Sequence, residues 1–251
     1  MAAEGKTIDA LSQFELTPVL GPIGRAVGFS QSAMHMAVAA AVVIALLIYG
    51  MRQRALIPGR LQALAESSYE FIHELVEGQI GEEGKRFFPF VFALFMFILL
   101  GNLIGLLPYA FTFTSHIIVT FALAMVVFVL ITVLGLVIHG THFFSYFFPQ
   151  GAPIAMAPLI VPIEIISYLS RPISLSVRLF ANMVAGHVML KVFATFVVLM
   201  GGAGAIGIFA AVFPLAINIA LVGFELLVAF LQAYVFAILT SIYLHDAIHL
   251  H

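Results

Sequence analysis

The chain has 251 residues, of which 63% are apolar and only 9% charged, against about 45–50% and about 25% in a soluble domain. That balance excludes a soluble globular protein and defines an integral membrane protein. A formal net charge of −2 gives no sign of a nucleic-acid partner. The absence of cysteine removes disulfides and thiolate metal sites, and the absence of tryptophan leaves any interfacial belt to tyrosine and phenylalanine.

About the first 32 residues lack a basic segment running directly into an apolar core and a small-residue cleavage site, so they read as a mature, mostly polar N-terminal arm. A single membrane domain, about 33–251, is expected to follow it. A first span is predicted at about 33–51, ending against Arg52 and Arg54. In the next stretch, about 60–80, Leu61, Leu64, Phe71, Ile72, Leu75 and Val76 form an apolar stripe opposite Glu66, Glu70, Glu74 and Glu77. This is the pattern of an amphipathic helix on the membrane surface. The second span covers about 87–108, where Pro108 stops it, and the third about 117–139. Gly140 to Pro158, with three prolines and two glycines, breaks the chain.

Two much longer apolar segments close the sequence, at about 158–200 and about 207–244, separated by the glycine-rich breaker Gly201 to Gly207. A helix from Pro158 to Met200 reaches about 65 Å against about 30 Å of hydrocarbon. It must tilt strongly, kink or run along the membrane. The expected fold is therefore all-α, with five membrane-inserted helices plus one surface amphipathic helix, the last two spans forming a long, strongly tilted hairpin. Five of the ten basic residues, Arg52, Arg54, Arg60, Lys85 and Arg86, fall between the first two spans. The positive-inside rule then places the N-terminus outside and the C-terminus inside.

Within the first long segment Arg178 lies amid apolar neighbours. A guanidinium keeps its proton in proteins, and a charge at the bilayer centre costs about 3 kcal/mol on insertion scales. Ser167, Ser170, Ser174, Arg178 and Asn182 recur at helical spacing and make one polar stripe, with His187 on the opposite face. On the second long segment Asn218, Glu225, Gln232 and Tyr243 form another. Folding the hairpin about Gly204 matches three depths: Arg178 with Gln232, His187 with Glu225 nearer the outside, and Glu164 with His245 and Asp246 nearer the inside. Two polar routes that meet at a fixed positive charge would let protons reach the midplane from both sides without a continuous pore.

The segments SLSVRLFANMVAG around Arg178, LQAYVFAILTSIYL containing Gln232, and GNLIGLLPY at Gly101 to Tyr109 resemble subunit a of the rotary F-type ATP synthase, and with the pattern of spans the similarity extends from about Ala33 onward. The resemblance implies a non-catalytic stator subunit with no cofactor or metal. Its implied partners are the c-ring subunits, the peripheral-stalk b subunits, other ATP synthase subunits and membrane lipid, most simply in a bacterial inner membrane, with the mitochondrial inner membrane as the alternative. Arg178 would face the passing ring carboxylates, and Asn182 and Gln232 would orient it, with Ser174 on the same stripe. His187 and Glu225 would line the outer route, and Glu164 with His245 or Asp246 the inner one, with Asn102 and Tyr243 also among the proton-translocating residues. Acid and imidazole are exchanged between the two helices relative to many bacterial members, and some members carry an acid where Gly105 stands here.

Plainer readings stand beside these. His187 and Glu225 can form a structural interhelical bond, Asn102 can satisfy a helix contact, and residues near a membrane face, Glu164, His245 and Asp246 among them, can simply snorkel. Arg171 and Lys191 read as interface anchors. His139 with His142, and His245 with His249, have metal-like spacing but no third ligand. The alternative function is a self-contained proton-coupled secondary transporter, which would usually show paired halves that this sequence lacks. A haem-bearing anchor needs two axial ligands at facing depth, and His187 faces Glu225 instead.

Overall fold

The computed structural model describes residues 30–52, 58–107, 110–148, 156–202 and 204–249, apart from the side chains at 144–146 and 205. The predicted arm up to residue 29, Arg54, Pro108 and Tyr109 lie outside the described residues.

Helix α1, Gln31–Gly50, starts where the Ser30 hydroxyl accepts the Ala33 amide proton. Such a bond satisfies one of the orphan donors of a first turn. Its 20 residues reach about 30 Å, one bilayer core. Helix α2, Arg60–Ile80, ends at Gly81, whose φ of 80° suits only glycine comfortably. It buries Ala65, Ile72, Val76 and Ile80, while Phe71 meets the rings of Phe95, Phe230 and Tyr234. Part of the apolar face expected on lipid, Ile72 and Val76, is thus taken up by protein, while Leu61, Leu64 and Phe71 remain exposed. Glu70, Glu74 and Glu77 are exposed as expected of the polar face.

A short 3-10 turn, Glu82–Arg86, leads into α3, Phe88–Gly105, with Pro89 in its first turn. A proline there sacrifices no intrahelical hydrogen bond. A buried 3-10 turn, Phe113–Ser115, connects to α4, Ile117–His139, which Gly140 closes with φ 55°. After a further 3-10 segment, Gly140–Phe147, come α5, Ala157–Gly201, and α6, Ala205–Ile248. Helix α5 runs unbroken through Pro162 and Pro172, and α6 through Pro214. At 45 and 44 residues both exceed one bilayer crossing.

Among the described residues, five of the six α-helices, all but α2, are long and apolar enough to cross a membrane. Helix α6 brings Ala229, Ala233, Ala237 and Ser241 into the interior at four-residue spacing. Small residues in such a row let helix backbones approach closely where no hydrophobic effect drives association within lipid. Facing that interior, α5 buries Leu175, Leu179 and Met183, again four apart. The adjacent stripe, about 100° around the helix, carries Ser174, Arg178 and Asn182 and stays exposed.

Candidate functional site

Leu175, Leu179 and Met183 turn one side of α5 inward, together with Ser176, and this leaves Ser174, Arg178 and Asn182 on an exposed stripe. Arg178 is exposed at mid-helix and makes no hydrogen bond or ion pair with any described residue. One turn on, the Asn182 side-chain amide donates to Gln232 Oε1 at 2.7 Å. Gln232 is buried, and its own amide nitrogen finds no partner among the described residues.

The next level holds His187 and Glu225, with Nε2 and Oε1 3.7 Å apart. That separation allows Coulombic attraction but exceeds a hydrogen bond. Glu225 is 3% exposed, and neither carboxylate oxygen has a hydrogen-bond partner among the described residues. A buried carboxylate without donors is unfavourable whenever it is ionised, so this group depends on a proton, on water or on His187. Beside it a cavity of about 290 Å³ opens between α5 and α6, touching Asn182, Gly186, Met189, Glu225 and Gln232. At about 30 Å³ per molecule it has room for several waters. The cavity joins the Asn182–Gln232 level to Glu225.

Asn102 is fully buried on α3. It accepts from the Thr114 hydroxyl at 2.8 Å and reaches the Ala229 carbonyl at 3.5 Å, so it ties α3 to the loop ahead of α4 and to α6. The loop's Thr112 hydroxyl lies 2.8 Å from His187 Nε2. On α1, His35 Nε2 accepts the Phe111 amide proton.

Toward the C-terminus of α6 the grouping differs from the expected one. Asp246 pairs with Arg171 at 3.3 Å, and the Arg171 guanidinium lies 4.7 Å from the centre of the Tyr243 ring and 5.4 Å from that of Tyr168. The Tyr168 hydroxyl is bonded to Thr132 on α4 at 2.7 Å. Glu164 is half-buried and has no described partner, while His245 stacks on His249 and His249 approaches Glu83. His139 Nε2 sits against the carbonyls of Ala247 and Ile248 at the end of α6.

The hairpin register is also displaced. The contacting pairs 182 and 232, 187 and 225, and 171 and 246 are centred on residues of about 206 to 209 rather than on Gly204. Side chains lean toward the N-terminus of their own helix. In an antiparallel pair that lean moves both contacting residues C-terminally, so Gln232 meets Asn182 and not the level of Arg178. Sequence reasoning missed Thr112, Thr114, His35 and Tyr168, none of which belongs to a polar stripe, and it assigned Arg171 only to anchoring.

A membrane protein with five span-length helices among its described residues, and with an exposed guanidinium, a buried carboxylate and a partly buried imidazole on the last two, belongs to the class that handles charge within the bilayer. Residues 33–245 match the family described as ATP synthase A chain, and the chain belongs to that family. It is 66% identical over 252 residues to the ATP synthase subunit a of Granulibacter bethesdensis, covering all of both chains. Identity is 60% with that of Gluconobacter oxydans, covering 98% of this chain and 99% of the relative. With that of Acidiphilium cryptum it is 59%, covering 99% and 100%.

Proposed function

We propose that the chain carries protons between two offset half-channels and a rotating ring of small carboxylate-bearing subunits, coupling proton-motive force to ATP synthesis. The observation that carries this reading is Arg178, a permanent charge on an exposed face at mid-helix with no described partner. Lipid cannot cover it cheaply, so a protein surface with a compensating carboxylate belongs there. Each ring carboxylate is ionised as it passes Arg178 and neutral when it faces lipid. Because the guanidinium keeps its proton, protons cannot hop past it and must travel with the ring.

In this mechanism Asn182 and Gln232 hold the region next to Arg178 in fixed geometry. Glu225 and His187 exchange protons with the outer side, and the cavity between α5 and α6 supplies water between Glu225 and the ring face. Glu164 with Tyr243, His245 and Asp246 serves the inner side, with Arg171 fixing Asp246. Each proton crossing 100 mV delivers about 2.3 kcal/mol. The other ATP synthase subunits, including the ring and the peripheral stalk, are the partners, in a bacterial inner membrane with the C-terminus inside. The test uses the cysteine-free background. Single cysteines at 174, 178 or 182 should cross-link to one beside the ring carboxylate in native membranes, and failure at all three positions would overturn the reading.

A further inference from the structure

We infer that Thr112, on the loop between α3 and α4, is a positioning residue that holds the His187 imidazole close to Glu225 without letting the two latch together. The inference rests on the reading of His187 and Glu225 as the outer proton route.

Three features place the Thr112 hydroxyl. Its residue is buried, and its neighbours Phe111 and Phe113 are buried as well. The backbone is pinned by the Ser115 hydroxyl on the Thr112 carbonyl at 2.6 Å and by the Phe111 amide on His35. The side chain fits only because residue 105 is glycine, since a Cβ there would lie 2.4 Å from Thr112 Oγ1.

Proton accounting then fixes the direction of the bond to His187. Thr112 has one hydroxyl proton and two neighbours for it, the Gly105 carbonyl at 3.2 Å and His187 Nε2 at 2.8 Å. The carbonyl, one of the orphan acceptors at the end of α3, can only accept, whereas an imidazole nitrogen can donate. Both contacts are satisfied when Thr112 donates to Gly105 and His187 Nε2–H donates to Thr112. The Nε2 proton is thereby directed at the hydroxyl and away from Glu225 Oε1, 3.7 Å from the same nitrogen. Without the hydroxyl, the proton can turn to Glu225 Oε1, a buried oxygen with no hydrogen-bond partner among the described residues. A charge-assisted bond would form, and it would hold Glu225 in the state from which it must be released.

Two measurements test this. In the intact complex with ¹⁵N-labelled histidine, the His187 signal is identified by its loss in His187→Gln. Solid-state NMR should show Nε2 protonated, and an unprotonated Nε2 overturns the assignment whatever any variant does. In vesicles stripped of the soluble sector, Thr112→Ser should conduct protons near the wild-type rate. Thr112→Val, of similar volume without the hydroxyl, should conduct about tenfold more slowly with the ring retained, the scale of one lost hydrogen bond. Equal conduction by the valine variant, or equal loss in both variants, overturns the role of the hydroxyl. If the valine variant fails to retain the ring, the NMR result decides. Absence of conduction in wild-type vesicles would instead count against the proposed function, leaving the protonation state of His187 to stand or fall alone.

Discussion

Gly186 and Glu225 are packed so closely that a Cβ on residue 186 would lie 2.5 Å from Glu225 Oε1 and 2.8 Å from its Cδ. The glycine is therefore the space in which the carboxylate sits, beside His187 on one side and the cavity on the other. Gly186→Ala should displace the carboxylate and lower ATP-driven proton pumping several-fold. Gly186→Val should lower it by about a hundredfold, as expected when a reacting group moves by about 1 Å. Dye quenching in inverted vesicles checks both, and full pumping by the valine variant would show that the position of Glu225 is not critical.

Glu225 is 3% exposed, whereas Glu164 is half-buried near the start of α5. A carboxylate enclosed by protein is harder to replace by water than one near a membrane face. Glu225→Gln should therefore slow proton conduction more than Glu164→Gln, by about tenfold relative to it. Passive conduction through the stripped membrane sector measures this, and equal or reversed effects would contradict the assigned depths.

The spans and the Arg178 stripe were legible in the sequence because each depends on a local pattern: a long apolar run, or polar residues at helical spacing. The boundaries of α2 and α4 followed from the same patterns and their flanking glycines. Thr112 was not legible, since its role arises from a non-periodic loop inserted against Gly105 and His187. Arg171 and Asp246 were missed as a pair for another reason. Asp246 lies near the end of α6 and Arg171 toward the membrane-face side of α5, where a snorkelling anchor and an interhelical ion pair have the same sequence signature, and a hairpin centre misplaced by two to five residues, which shifts each partner by about four to nine, set Glu164 opposite Asp246 instead.

Arg178 is exposed and unpaired with any described residue, so its removal leaves the packing of Leu175, Leu179 and Met183 in place. Arg178→Ala should abolish both proton-driven ATP synthesis and ATP-driven pumping, while the variant still assembles with the ring. Arg178→Lys should also fail to couple, because an ammonium can lose its proton in an apolar setting and a guanidinium does not. Retention of coupled activity near wild type in the alanine variant would sink the mechanism.

Arg171 and Asp246 join the N-terminal half of α5 to the last turns of α6, with side chains 21% and 29% exposed. Partial exposure screens the pair, so its worth is modest, but Tyr243 and Tyr168 flank the guanidinium and restrict its alternatives. Asp246→Asn should leave Arg171 on its aromatic neighbours and loosen the end of the hairpin. Arg171→Gln should leave the Asp246 carboxylate in a half-buried site without its cation. A double-mutant cycle in detergent unfolding should give a coupling of about 1 kcal/mol between them. Proton conduction should suffer more from Asp246→Asn than from Arg171→Gln, because in the proposed inner route the carboxylate carries the proton and the guanidinium only holds it in place. If the cycle shows no coupling, the pair contributes no measurable stabilisation. If Arg171→Gln is the more damaging of the two, Asp246 depends on its cation for more than position.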